Sequence, residues 1–239
     1  MVKETTFERY RIFSGSLLKL MAVVSMFLDH FAYLLGGELA ILQLPLLAIG
    51  GRTFTGYYLL RKMGRLAFPI FCFLISEGYL HTRSKKRYAL RLLLFALLSE
   101  IPFNWMVGGS ILYPAKQNIY FTLLMGIGMI RIWETASAEW KKLCFLLCAV
   151  GITLLLRADY GLNGALLILL LYVLRSQPAL RTVLAYPLLS GGLPAFAAFL
   201  PISLYNGKRG FIRTPLLQYV FYLFYPAHMI LLLVIRGIL

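Results

Sequence analysis

Apolar segments of membrane-spanning length follow one another along this chain, with Lys and Arg scattered between them. Hydrophobic residues make up 60% of the sequence and charged residues 14%. A water-soluble domain is about half apolar and about a quarter charged, so this chain has too much apolar surface for water. The sequence therefore predicts an all-α, polytopic integral membrane helix bundle whose solvent is the lipid bilayer.

Apolar length places about eight spanning helices in a single domain that covers residues 1–239. Their predicted ranges are 17–35, 66–80, 88–106, 118–134, 142–157, 160–175, 181–204 and 216–236. The segment near 39–62 is interrupted by Pro45, Gly50, Gly51 and Gly56. Three interpretations of it stay open, namely a re-entrant segment, an interfacial segment and a further crossing.

The formal net charge is +15. The basic residues form no groove interleaved with polar structure, so juxtamembrane anchoring and attraction to anionic lipid or a phosphorylated cofactor explain them better than nucleic-acid binding. Loop charges favour a cytoplasmic amino terminus, and eight crossings return the carboxyl terminus to the same side. No zinc-site spacing or nucleotide-hydrolysis motif is present, so no metal is expected.

The first apolar helix contains an Asp-His pair, Asp29 and His30. Ionisable groups at membrane depth are costly, so such a pair indicates a functional site. Lys19 precedes His30 by eleven residues, which in a helix is about 20 degrees past three turns and about 16 Å along the axis. Lys19 and His30 are therefore expected on one face, the cation near one membrane surface and a potential base near the other.

With the amino terminus in the cytoplasm, most polar residues of the apolar segments fall in the extracytoplasmic half of the bundle. The set consists of Asp29, His30, Ser99, Glu100, Asn118, Asp159, Asn206, Lys208, Arg209 and His228. Glu77 lies toward the cytoplasmic end of its helix, beside the basic loop 81–87. Lys19 and Glu77 would connect this extracytoplasmic polar cluster to the basic residues on the cytoplasmic side. Such an arrangement is typical of a path through the membrane.

Six short motifs follow one another at residues 19–30, 64–83, 91–104, 159–161, 205–210 and 222–228. In this order they resemble the TraX family, and the resemblance covers nearly the whole chain from about residue 16. The family is named for proteins that acetylate the amino terminus of conjugative pilin, and it is similar to the membrane acyltransferases that include acyltransferase type 3. In that superfamily a basic residue, ten intervening residues and a histidine form a signature, which here falls on Lys19 and His30.

The resemblance implies a multi-pass protein of the bacterial plasma membrane. It also implies that the co-substrate is a cytoplasmic acyl-CoA, most simply acetyl-CoA. The implied acceptor is an amine or hydroxyl of a protein or glycan at the extracytoplasmic face, such as the amino terminus of a pilin-like protein.

Acyl transfer from a thioester needs a base, and neutral imidazole is suited to that role near neutral pH. His30 is the predicted base, and Asp29 is a supporting acid about 100 degrees around the helix. Either Glu100 or His228 is expected to fix the tautomer of His30. The predicted cofactor contacts are Lys19, Arg83 and Arg91, and the predicted acceptor contacts are Asn118, Asp159, Asn206, Lys208 and Arg209.

Two other classes of function stay open on sequence. A membrane transporter or flippase also carries intramembrane charges and interrupted helices, but such folds commonly contain inverted repeats and none is found here. A non-enzymatic assembly protein would need the polar residues only for hydrogen bonds between packed helices.

Overall fold

The computed structural model describes residues 11–238. Its helices are α1 (Gly15–Leu35), α2 (Gly56–Gly64), α3 (Ala67–His81), α4 (Lys85–Gly108), α5 (Ile119–Thr135), α6 (Glu139–Leu156), α7 (Gly161–Val173), α8 (Pro178–Ala185), α9 (Gly192–Phe196), α10 (Phe199–Ser203) and α11 (Pro215–Ile238). Single 3-10 turns lie at Ala40–Gln43 and Tyr186–Leu188. Strands β1 (Pro45–Ile49) and β2 (Arg52–Thr55) form an antiparallel hairpin.

These elements divide between two compact units. The first takes its described residues from Met1–Phe71 and Gly191–Leu239, and the second is Cys72–Ser190. The prediction of a single domain stays a prediction.

Among residues 11–238, three helices, α1, α4 and α11, are long and apolar enough to cross a bilayer. Shorter apolar helices occupy Gly161–Val173 and Gly192–Ser203. The mostly helical fold confirms the all-α prediction, and the apolar helices identify a membrane protein. The predicted count of eight spanning helices is not confirmed.

The predicted helix 181–204 is wrong, because this stretch is divided among α8, a 3-10 turn, α9 and α10. Pro187 lies in the 3-10 turn and cannot donate a helical hydrogen bond. Gly192 has a φ of 60°, in the left-handed region that ends regular helices. The other predicted ranges each coincide with one helix to within a few residues.

The segment 39–62 contains the β1–β2 hairpin and most of α2. Gly50 and Gly51 have φ values of 56° and 75° and connect Ile49 to Arg52 in a two-residue turn, the geometry that favours glycine. All five residues of β1 are exposed. An open two-stranded hairpin leaves backbone groups unpaired at its edges, so it does not fit the hydrocarbon core. The interpretation of this segment as a further crossing is therefore wrong.

Helices α1 and α11 run parallel within the first unit. Contacts occur in the same order along both helices: Lys19 with Phe221, Phe27 with Phe224, and Glu38 with Arg236. Two parallel helices that cross a membrane carry the chain in the same direction. The predicted return of the chain to the side on which α1 begins is therefore wrong.

Helices α5 and α7 of the second unit approach closely at Gly126. A Cβ atom at this position would lie 2.5 Å from Ile168 Cδ1 and 2.8 Å from Ile168 Cβ, whereas a Cβ at Gly128 would meet nothing within 4 Å. Met129, Ala149 and Ala165 form the buried cluster beside this contact. The absence of a side chain at residue 126 lets the two helices pack.

We expect Gly126→Ala to destabilise the protein by about 1–3 kcal/mol, because a methyl group overpacks the α5–α7 contact. Gly128→Ala is the matched control on the same helix, and its effect should stay within about 1 kcal/mol. Thermal unfolding of both variants in detergent measures the difference. Equal unfolding temperatures for the two variants would contradict the close approach.

Candidate active site

Helix α1 presents Asp29 and His30 to two different neighbours in the first unit. The helix begins after Ser14, whose side chain accepts a hydrogen bond of 3.3 Å from the amide of Leu17. Successive helical residues are about 100 degrees apart, so adjacent side chains leave the helix in different directions. Accordingly, His30 contacts α11 and Asp29 contacts α2.

The two histidines of this unit form a hydrogen-bonded pair. His30 Nδ1 lies 2.7 Å from His228 Nε2, and the rings stack with centroids 5.0 Å apart and planes 9° apart. His228 Nδ1 lies 2.8 Å from the carbonyl oxygen of Phe224, four residues earlier on α11. A chain of two hydrogen bonds therefore leads from a helix carbonyl through one imidazole to the other.

This chain fixes the tautomers of both rings when they are neutral. The Phe224 carbonyl only accepts, so His228 Nδ1 carries the proton and His228 Nε2 accepts. His30 Nδ1 must then donate, which makes Nε2 the basic nitrogen of His30. His228 is only 3% exposed and packs against the rings of Phe27 and Phe224.

Asp29 forms an ion pair with α2. Arg61 Nη1 lies 2.9 Å from Asp29 Oδ2, and the guanidinium lies 5.2 Å from the centroid of the Tyr33 ring. Gly64 permits this approach, because a Cβ there would lie 2.3 Å from Asp29 Cβ. The ion pair holds α2 beside the histidine pair.

Lys19 lies at the opposite end of α1 from His30. Its Nζ is 5.6 Å from the centroid of the Phe221 ring, and the positive charge of Arg209 acts on it. The loop that carries Arg209 binds the start of α1: Gly15 N donates to Lys208 O at 2.8 Å, and Ser16 N donates to Arg209 O at 2.8 Å. These carbonyls satisfy amides that have no partner inside the helix.

The order of the predicted helices placed three residues in the same half of the bundle as His30, namely Asn206, Lys208 and Arg209. That prediction is wrong. Asn206 N donates to Phe13 O at 2.9 Å, just before α1 begins. The loop lies at the Lys19 end, because the start of α1 needs hydrogen-bond acceptors and the carbonyls of this loop supply them.

A family model described as TraX protein matches residues 14–236. The chain belongs to the TraX family. It is also 28% identical to the probable fimbrial assembly protein FimC, serogroup H1, of Dichelobacter nodosus, over 92% of this chain and 94% of the relative. No solved structure shows significant similarity to the chain.

The remaining predicted site residues of this TraX chain lie in the second unit. Glu100 Oε2 accepts a hydrogen bond of 2.5 Å from Asn118 Nδ2, and Asp159 Oδ1 lies 2.9 Å from Lys116 Nζ. Arg91 lies 5.7 Å from the centroid of the Tyr88 ring, and Arg83 is exposed in the segment between α3 and α4. The roles predicted for these residues stay predictions.

Sequence reasoning missed two groups at these positions, namely Arg61 and the Phe224 carbonyl. Phe224 precedes His228 by four residues, a helical spacing that could have identified the carbonyl as a partner. The role of Arg61 depends on a tertiary contact and gave no comparable signal. In residues 11–238, no three His, Cys, Asp or Glu side chains come together as metal ligands.

Proposed function

We propose that this TraX-family protein is an acyltransferase that moves an acetyl group from cytoplasmic acetyl-CoA to an amine or hydroxyl of an extracytoplasmic acceptor. The supporting observation is the hydrogen-bonded chain from the Phe224 carbonyl through His228 to His30. The name of the Dichelobacter relative supports a pilin-like protein as the acceptor.

The histidine pair can act as a general base, with His30 as the base and His228 as its hydrogen-bond partner. Acetyl-CoA supplies an activated thioester carbonyl. His30 Nε2 removes the proton of the attacking amine or hydroxyl, while a bond forms from the attacking atom to the carbonyl carbon and the carbon–sulfur bond breaks. The proton then passes from Nε2 to the departing sulfur. His228 Nε2 accepts the His30 Nδ1 proton throughout and stabilises the transient imidazolium.

Lys19 and Arg209 fit the phosphates of acetyl-CoA. The two positive charges repel each other, and among residues 11–238 no salt bridge joins either of them to a carboxylate. A phosphate group removes that repulsion, and guanidinium and ammonium groups both bind phosphate. The cofactor contacts predicted for Arg83 and Arg91, which belong to the second unit, stay predictions.

The position of the loop 205–210 also supports a cytoplasmic amino terminus. Lys208 and Arg209 lie at the end of α1 that carries Lys19, so they add to the positive charge on that side. Positive residues concentrate on the cytoplasmic side of membrane proteins. Lys19 and Arg209 would then face the cytoplasm, which is the compartment that contains acetyl-CoA.

We expect Lys19→Gln and Arg209→Gln each to raise the KM for acetyl-CoA about tenfold, because each variant loses one charge-assisted contact. The kcat should change little. Arg52→Gln is the matched control, because Arg52 is an exposed cation of the same unit on β2. Steady-state kinetics with varied acetyl-CoA measures both constants. A loss of kcat at unchanged KM would contradict the proposed phosphate contacts.

The assay that tests the function uses the purified protein in lipid vesicles with radiolabelled acetyl-CoA. Acceptors are a pilin amino-terminal peptide, its hydroxyl analogue and a glycan, and both acceptor labelling and thiol release are scored. Labelled acceptor with matching thiol release supports the proposal. Solute movement without labelling would show a transporter, and pilin binding without either would show an assembly protein; each result would overturn acyl transfer.

A further inference from the structure

A carboxylate and two tyrosines tie three helices of the second unit together. Glu134, near the end of α5, accepts a hydrogen bond of 2.6 Å from Tyr79 Oη at one oxygen and one of 2.5 Å from Tyr172 Oη at the other. Tyr79 belongs to α3 and Tyr172 to α7, and both side chains are buried. Each carboxylate oxygen of Glu134 therefore already has a hydroxyl as its hydrogen-bond donor.

Two cations lie on the faces of these tyrosine rings. Lys85 Nζ donates to the carbonyl oxygen of Tyr79 and lies 4.1 Å from the centroid of its ring. Arg175 Nη1 donates to the carbonyl oxygen of Tyr172 at 3.0 Å, and its guanidinium lies 4.8 Å from the centroid of that ring. Rings and backbone carbonyls, which carry no net charge, hold both cations in place.

The positive charge at this end of the unit exceeds the negative charge. A third cation, Arg131, lies 3.9 Å from Glu134 Oε2 through Nη1 and also hydrogen-bonds the Tyr79 hydroxyl. Among residues 11–238, neither Lys85 nor Arg175 forms a salt bridge with a carboxylate. Three cations thus share one carboxylate. Like charges repel each other, so an anionic ligand would stabilise the group.

The group lies where a membrane-spanning helix begins. Lys85 is the first residue of α4, which is long and apolar enough to cross a bilayer. Farther along α4, Leu90, Leu94, Leu97 and Leu98 are exposed, as expected of a helix that contacts lipid. The start of α4 is therefore expected at the level of the phospholipid headgroups. Basic pockets between helices at that level bind anionic headgroups.

We propose that Lys85, Arg131 and Arg175 form a binding site for the phosphate of an anionic phospholipid. The two guanidinium groups offer paired N–H donors to the phosphate oxygens, and the ammonium group adds a point charge. Glu134 anchors the tyrosines that carry two of the cations, but its own charge opposes the ligand. The site does not rest on the proposed acyl transfer, because lipid binding requires neither His30 nor acetyl-CoA.

The test measures lipid binding to the full chain in detergent by native mass spectrometry. We expect the first phosphatidylglycerol to bind with a Kd about tenfold lower than that of phosphatidylcholine, because only phosphatidylglycerol has a net negative charge. Soluble glycerophosphoglycerol and acetyl-CoA also carry phosphates, but they should not displace the lipid. Equal Kd values for the two lipids, or displacement by either soluble phosphate, would overturn the proposal.

Lys85→Gln and Arg175→Gln each remove one charge from the site. We expect each to raise the Kd of phosphatidylglycerol about tenfold, because each loses one charge-assisted contact. Lys86→Gln is the matched control, since Lys86 is an exposed cation next to Lys85, on the helix face of Leu90 and Leu94. Its Kd should stay within about twofold of wild type. Equal weakening by all three variants, or unchanged binding in all three, would overturn the site.

Glu134→Gln is expected to have the opposite effect. The amide keeps the size of the side chain and an oxygen that accepts from a tyrosine hydroxyl, but it removes the negative charge. We expect phosphatidylglycerol to bind several-fold more tightly, whereas Glu139→Gln, at an exposed residue that pairs with Lys142 on α6, should change little. Weaker binding by folded Glu134→Gln would overturn the proposal; where it does not fold, Lys85→Gln against Lys86→Gln decides.

Discussion

Replacement of His30 with Ala is expected to lower kcat for acetyl transfer by about 100- to 10,000-fold, the contribution of a general base. The variant retains the Asp29–Arg61 ion pair, so α1 and α2 keep a contact that is independent of the imidazole. Transfer of radiolabel from acetyl-CoA to the acceptor, under saturating substrates, measures the loss.

His81→Ala is the matched control, because His81 lies at the end of α3 with a side chain that is 70% exposed. Its kcat should remain within about twofold of wild type, as expected for a surface substitution. Added imidazole should restore part of the His30→Ala activity, since the small base can occupy the space of the lost ring. Equal activity in the two variants, or a loss at His30 without rescue, would contradict the assignment of the base.

The second large effect is expected at His228, which positions His30. His228→Phe keeps an aromatic ring among Phe27 and Phe224 but removes the acceptor for the His30 Nδ1 proton. We expect kcat to fall about 10- to 100-fold, as when a tautomer-fixing partner is lost, with the KM for acetyl-CoA unchanged. The same labelling assay measures both constants.

His228→Gln tests whether the hydrogen bond rather than the packing matters. Its amide oxygen can accept from His30 Nδ1, and its amide nitrogen can donate to the Phe224 carbonyl. We therefore expect His228→Gln to retain several-fold more activity than His228→Phe, although Phe fills the aromatic space better. The opposite order would indicate that His228 acts through packing alone.

The sequence was informative about where helices lie, because apolar length is a local property. It placed most helices to within a few residues, and α1 closely. It failed at residues 181–204, where Pro187 and Gly192 interrupt an otherwise apolar stretch. Counting each apolar stretch as one crossing then assigned the wrong direction to α11.

The same error in direction misplaced part of the candidate site. His30 and His228 were predicted in the same half of the bundle, and the two rings do meet. They meet along a parallel α11, however, and His228 does not lie near the start of an antiparallel last helix as predicted. The structure places Lys208 and Arg209 at the Lys19 end of α1, and the prediction differed for the same reason. The spacing of Lys19 and His30 depended on one helix only, so a single sequence sufficed to predict that the two residues lie at opposite ends of α1.

The contacts of α1 also differ in when they can form during synthesis. Arg61 follows Asp29 by 32 residues, whereas His228 follows His30 by 198. The carboxylate, which is the costlier group in lipid, therefore receives its partner while translation is still at an early stage. The imidazole of His30 gains its partner only after α11 has been inserted, so a ribosome that stalls before α11 leaves a nascent chain that has the Asp29–Arg61 ion pair but no assembled base.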